Sequence, residues 1–172
     1  MEPLVIRIDP LGAAGPVLLG SSREEAGRAS RAWGEPVEYA PYPGALPLDW
    51  RVGGGGAGID AFVHCGSTGV VQTVEIFRDF GTLPRAQVLL LGMDVFSVPA
   101  ERVVDVLRER FEIEEDGYSC TVPELSIGLG RSVVPDQDAD EEECERYTCF
   151  GNVLVAGPGY YAPPPPVPEA GR

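Results

Sequence analysis

The clearest hydrophobic pattern in the chain is an aliphatic run followed by an amphipathic segment, within Val88–Phe111. Val88–Leu91 is four consecutive aliphatic residues between breakers, which is typical of a buried strand. After Ser97 and Pro99, apolar residues recur at helical spacing and charged residues take the other side. The apolar positions are Ala100, Val103, Val104, Leu107 and Phe111. The segment therefore predicts a strand, a turn and a helix that needs a flat partner.

A second helix is predicted near the N-terminus. Ser21–Glu24 has capping-box spacing, with a hydroxyl at the cap and a carboxylate three residues later. Ala26, Ala29 and Trp33 share one face, and Gly34 and Pro36 end the pattern at about Trp33. The small side chains on this face predict close approach to a neighbouring element.

Alternating apolar and polar residues predict several strands around these helices. The best hairpin joins Ile59–His64 to Val70–Phe77. Residues 12–20 read as a loop, and Glu35–Gly58, which is rich in proline and glycine, reads as an irregular connection with one short strand near Pro47–Val52. The other predicted strands are residues 4–9, Tyr118–Val122, Leu125–Leu129 and Tyr147–Val155.

These elements predict an α+β fold: one antiparallel sheet with two main helices packed on one face. The order strand, helix, strands occurs twice, which is the layout expected of two degenerate halves, although residue-level similarity between them is poor. We expect residues 1–161 to form a single domain. Residues 162–172 include four consecutive prolines and predict a disordered tail.

Composition narrows the partners that the protein could bind. The formal net charge is −14, and all 13 basic residues are arginine. Nucleic acids and anionic membranes need a positive footprint, so neither is an expected partner. The sequence shows no secretory signal pattern and no apolar run as long as a membrane span. We therefore expect a cytoplasmic protein with reduced cysteines.

No catalytic or metal-binding motif stands out. His64, Cys65, Cys144 and Cys149 could supply soft ligands, but a C-x4-C pair with a single histidine does not match zinc-site spacing. As sequence neighbours in a strand, His64 and Cys65 should point to opposite faces and cannot form a dyad. The acidic run 136–145 has Glu141 where a calcium loop needs glycine, so we read it as a solvated loop. We predict no metal, no cofactor and no catalytic residue.

Aromatic residues cluster along the proline-rich connection and near the end of the first helix. Trp and Tyr commonly anchor protein interfaces, so these residues form the candidate binding surface. The competing interpretation is that they pack over the edge of the sheet. The candidates are Trp33, Tyr39, Tyr42 and Trp50.

Two stretches carry a resemblance to known families. Residues 15–25, GPVLLGSSREE, followed by Trp33-Gly-Glu-Pro36, are similar to the helix signature of the outer-membrane assembly lipoprotein family and of β-lactamase-inhibitor-like folds. Ser21 and Trp33 replace a usual methionine and leucine. Residues 75–77, 92–96, 101–107, 116–118, 125–129 and 157–161 resemble an uncharacterised family of small bacterial proteins. The resemblance implies helices on an antiparallel sheet and brings no catalytic residue; without a lipoprotein signal, the lipoprotein role does not carry over.

We therefore predict a non-enzymatic protein-binding module. An immunity or inhibitor protein for a basic partner fits the acidic composition, because charge complementarity accelerates and orients association. The alternative is a small-ligand-binding protein or an enzyme that uses His64, Cys65 and nearby acids. A third reading is a purely structural accessory domain.

Overall fold

The structure is a computed structural model that describes residues 2–53, 57–79, 86–131, 138 and 147–162. Its helices are α1 (Arg23–Ser30) and α2 (Ala100–Arg108), and short 3-10 turns occupy Gly66–Thr68 and Pro123–Leu125. The strands are β1 (Val5–Asp9), β2 (Ala13–Ala14), β3 (Val17–Leu18), β4 (Val37–Tyr39), β5 (Asp49–Gly53), β6 (Ile59–His64), β7 (Thr73–Arg78), β8 (Gln87–Leu90), β9 (Met93–Asp94), β10 (Glu114–Glu115), β11 (Ser119–Val122), β12 (Ile127–Gly130) and β13 (Asn152–Ala156).

The strands form an eight-stranded antiparallel sheet, in the order β10-β11-β12-β13-β7-β6-β5-β4, and a five-stranded sheet, β3-β2-β1-β8-β9. The predicted α+β class with two helices is confirmed. The expectation of one antiparallel sheet is wrong, because β1 and β8 leave it and pair with each other in parallel. Both strands bury alternate aliphatic side chains, so their pattern alone did not specify their partner.

The two halves of the chain share one layout. Each helix is followed by four antiparallel strands in chain order, and the two sets of four meet where β7 pairs with β13. The residue before each helix also makes an isolated antiparallel bridge. Ser22, before α1, pairs with Val70, three residues before β7 begins, and Pro99, before α2, pairs with Cys149, three residues before β13 begins. The repeat that the element order suggested is therefore present in the topology.

One hydrophobic core joins both halves. Alternate residues of β6, namely Ile59, Ala61 and Val63, point into it, and their antiparallel registers place inward-facing residues on each neighbouring strand. The buried side of α2, Ala100, Val103, Val104 and Leu107, belongs to the same cluster, as do Ile6, Val88 and Leu90 of the small sheet. Burying α2 alone stabilises the fold by roughly 1.5–3 kcal/mol for each large aliphatic side chain.

Two local predictions need correction. The capping box lies one residue later than predicted, with Ser22 at the cap and Glu25 closing the box, and the helix ends at Ser30 rather than near Trp33. The region 35–58 holds two strands, β4 and β5, rather than one, and β2 and β3 lie within the predicted loop 12–20. Very short strands carry too few residues for alternation to show. The acidic run 136–145 and the tail from 163 onward lie outside the described residues, apart from Asp138.

Candidate functional site

The second face of the eight-stranded sheet carries the side chains that alternate with the core residues, and we call it the open face. On β6 these are Asp60, Phe62 and His64, which are all half-buried while their neighbours are fully buried. The register extends this face through Arg51 on β5 and through Glu75 and Phe77 on β7. It continues across the second half through Asn152, Leu154, Gly128, Gly130, Ser119 and Thr121.

An aromatic cluster occupies the first half of the open face. The Phe62 ring lies 4.9 Å from the Tyr39 ring and 5.8 Å from the Phe77 ring, both in edge-to-face geometry. The imidazole of His64 lies parallel to Phe62 at 6.3 Å. Phe77 is 37% exposed. Edge-to-face pairs stabilise one another and fix the ring orientations, so strands β4, β6 and β7 present a pre-organised aromatic surface.

Arg51 and Asp60 form a bidentate ion pair at the margin of this cluster. The Arg51 Nε and terminal nitrogen donate to the two Asp60 oxygens at 3.0 and 2.8 Å. The guanidinium lies 5.6 Å from the centre of the Phe62 ring. The hydrogen bond and charge of Asp60 raise the pKa of Arg51. Both side chains are partly exposed, so the ion pair contributes more to their orientation than to stability.

Asp49 holds the other end of the cluster in place. It is 5% exposed, accepts hydrogen bonds from the amides of Cys65 (2.8 Å) and Gly66 (2.9 Å), and lies 3.2 Å from the Nδ1 atom of His64. Burial alone would raise the pKa of the Asp49 carboxyl, but the two amides and His64 stabilise the charged form and the pKa is lowered. Asp49 therefore fixes the ring of His64 and the turn that follows β6.

The second half of the open face is smaller and smoother. Gly128 and Gly130 face outward, and the Tyr161 hydroxyl and the Asn152 amide occupy the space where their β-carbons would stand. Burial raises the pKa of Tyr161. The open face is thus asymmetric. Its first half carries the aromatic cluster, and its second half contains two outward-facing glycines, with Tyr161 packed over Gly128.

The structure separates the four aromatic residues proposed from the sequence. Trp33 is only 3% exposed and belongs to the core, and the Trp50 indole packs inward, donating from Nε1 to the Arg23 carbonyl at 2.8 Å. Tyr39 lies on the open face, and Tyr42 is 66% exposed in the loop before β5. A binding role for the four residues stays a prediction. Tyr39 and Tyr42 offer accessible surface for it, Trp50 is half-buried and Trp33 has almost no exposed surface.

Phe62 and Phe77 are candidate site residues that were not predicted from the sequence. The sequence does contain a signal for them. Each is a large aromatic residue at an outward-facing strand position, where the neighbouring outward-facing residues are polar: Asp60 and His64 on β6, and Glu75 on β7. An aromatic residue at a position that faces away from the core does not contribute to core packing, so it indicates a role on the surface.

The surroundings of Cys65 do not favour a reactive thiol. Its side chain is fully buried on the core side, opposite His64, and burial followed by the charge of Asp49 raises its pKa to about 11. Two clefts of about 140 Å³ and 450 Å³ open on the described surface, and neither is lined by His64 or Cys65. Within the described residues, no group of three or more potential ligands is placed to hold a metal ion; Cys144 lies outside them.

Comparison of the chain with protein-family models, with curated proteins and with solved structures returns no match. The resemblances read from the sequence therefore stay predictions. In the part of the chain that the structure describes, no helix is both long and apolar enough to cross a membrane.

Proposed function

We propose that the protein is a non-enzymatic binding module that captures a basic protein partner on the open face of its eight-stranded sheet. An immunity or inhibitor role toward such a partner is consistent with this. The observation that carries the proposal is the aromatic cluster of Tyr39, Phe62 and Phe77, which stands on the outward side of the sheet. Large aromatic side chains at the centre of a surface are the usual anchors of protein interfaces.

The size of the open face suits a protein rather than a small molecule. Its eight strands have two to six residues each and lie about 4.8 Å apart, so the whole face spans on the order of 500 Å², including the part that Tyr161 covers. Each partner in a complex of standard size contributes roughly 800 Å². Backbone that is already fixed in paired strands loses little further conformational entropy on binding, which lowers one of the costs of association.

Charge selects the class of partner. The chain carries a net charge of −14, and Asp60, Glu75 and Glu114 lie on the open face together with Arg51. A basic surface would be attracted to this face and an acidic one repelled.

The test is affinity capture from the native host followed by measurement on the purified partner. Immobilised wild-type protein is compared with Phe62→Ala and with Leu18→Ala, a matched control because Leu18 is also exposed but lies on β3 of the other sheet. We expect a basic protein to be retained by wild type and by Leu18→Ala, and to bind Phe62→Ala roughly 30-fold or more weakly. Raising the salt concentration should weaken the complex.

Three results would contradict the proposal. The captured protein could be acidic, its affinity could be unaffected by Phe62→Ala, or it could depend equally on Leu18. Circular dichroism of both variants confirms that each has kept its fold.

A second candidate function, acid–base chemistry or small-ligand binding at His64, is favoured by the His64–Asp49 hydrogen bond, which leaves Nε2 available. Asp49→Asn separates the two functions. An asparagine preserves the shape of the site, so partner binding should change only a few-fold, whereas a reaction that needs an oriented imidazole would fall by roughly 10⁴. A substrate screen in which wild type and Asp49→Asn are equally inactive would remove this candidate.

A further inference from the structure

Two carboxylates and two phenyl rings alternate at the corners of a square on the outward side of β6 and β7. The register pairs Asp60 with Phe77 and Phe62 with Glu75. Side chains directly opposite on antiparallel strands lie about 5 Å apart at their β-carbons. Each carboxylate in the square is therefore next to both rings, one across the strands and one along its own strand.

One corner of this square already holds a guanidinium. Arg51 donates two hydrogen bonds to Asp60 and lies 5.6 Å from the centre of the Phe62 ring. A fork of donors on a carboxylate, with the cation over an aromatic ring, is the arrangement that arginine favours. The molecule itself thus provides an example of what this combination of groups binds.

The opposite corner has no cation from the described part of the chain. Glu75 is half-buried between Phe62 and Phe77, and no described arginine or histidine lies within ion-pair distance of it. Its Oε1 atom accepts one hydrogen bond, from the Asn152 side-chain amide at 3.2 Å. A carboxylate can accept about four hydrogen bonds, so Glu75 is held in position with capacity to spare.

We propose that Glu75, flanked by Phe62 and Phe77, is the anchoring site for an arginine side chain of the partner. This inference rests on the proposed function and specifies the recognition element at its centre. Arginine fits better than lysine because its planar guanidinium stacks on a ring while donating sideways to a carboxylate. The site repeats, toward a partner, the contact that Arg51 makes within the chain.

The test uses acetyl-Gly-Arg-Gly-amide as the probe, added to the full-length ¹⁵N-labelled protein and followed by amide chemical shifts. The matched probes carry lysine, or citrulline, which has nearly the shape of arginine without its charge. We expect saturable shifts in the millimolar range with arginine, centred on β7 and on Asn152 of β13, several-fold weaker binding of lysine, and none of citrulline.

Variants localise the site. Glu75→Gln should abolish the arginine-dependent shifts, and Phe77→Leu should weaken binding by roughly two- to fivefold through loss of the cation–π contact. Glu24→Gln, which removes an exposed carboxylate from α1, outside the open face, should leave binding unchanged. A fold-wide set of amide shifts that matches wild type confirms that each variant is folded.

Absence of saturable shifts, equal response to citrulline, or unchanged binding by Glu75→Gln would each overturn the anchor. These failures are distinguishable from failure of the proposed function. Suppose that capture of the partner still depends on Phe62, but Glu75→Gln changes the affinity for neither the peptide nor the partner. The open face is then retained as the binding surface, and the arginine site at Glu75 is rejected.

Discussion

Gly27 in the middle of α1 provides the sharpest test of how this helix packs against Trp50 of β5, because two physical effects oppose each other there. In an exposed helix interior, replacing glycine by alanine stabilises by about 1 kcal/mol. At this position, a β-carbon on Gly27 would lie 2.9 Å from Cε2 and Cζ2 of Trp50 and 3.1 Å from its Nε1. Carbon atoms in ordinary contact are about 3.5–4.0 Å apart, so the ring would have to move by more than half an ångström.

The indole has little freedom to move. Its Nε1 donates to the Arg23 carbonyl at 2.8 Å, and the Arg23 guanidinium lies 4.3 Å from the ring centre on the same indole. Arg23 is itself held by the Leu48 carbonyl and by Glu38. Overpacking of this kind costs about 1–3 kcal/mol, and a weakened indole hydrogen bond costs about 1 kcal/mol more.

We therefore expect Gly27→Ala to lower the free energy of unfolding by about 1–3 kcal/mol, despite its higher helix propensity. For a chain of this length that corresponds to a loss of roughly 3–10 °C in Tm. Urea denaturation followed by circular dichroism measures the change. Introducing Gly27→Ala into a Trp50→Leu background supplies the control, since leucine lacks the clashing atoms.

In that background the substitution should be neutral or stabilising, giving a coupling free energy of at least about 1 kcal/mol between the two positions. A clash between a β-carbon at position 27 and Trp50 is refuted if the Gly27→Ala substitution stabilises the wild-type protein, or if it costs the same free energy of unfolding in both backgrounds.

Two further predictions follow from buried hydrogen bonds and from the helix cap. Asp49→Ala leaves the amides of Cys65 and Gly66 without their acceptor and should cost roughly 2–5 kcal/mol by urea denaturation. The pKa of Asp49 is lowered in the folded state. Its charge therefore stabilises the fold above the ordinary aspartate pKa of about 3.9, and this stabilisation is lost as the pH falls through the lower folded-state pKa. An acid-unfolding transition of the wild type that is no steeper than that of Asp49→Asn would contradict this. Ser22→Ala should lower the free energy of unfolding by about 1 kcal/mol and Ser21→Ala by less than about 0.5 kcal/mol, because Ser22 is the residue that caps α1. Equal decreases in Tm for the two variants would contradict the assignment of Ser22 as the cap.

Local pattern was enough to identify the elements that carry several alternating residues. Strand β6 and the buried stripe of α2 lie where the sequence predicts them, because period-two and period-3.6 burial leave a direct trace in the residue order. Strand β7 is present as predicted but begins at Thr73 rather than Val70. The same pattern placed His64 and Cys65 on opposite sides of a strand, as the structure has them. Short elements such as β2, β4 and β10 left no such trace.

By itself, the sequence determined the α+β class, the repeated order of elements and the acidic character of the surface, because these depend on composition and on local periodicity. The tertiary structure alone decided that β1 pairs with β8 in a separate sheet and that Trp33 is buried. It also decided that Phe62, Phe77 and Glu75 lie side by side on the open face. Those outcomes depend on strand pairing between residues far apart in the chain, and alternation along one strand cannot say which strand will lie beside it.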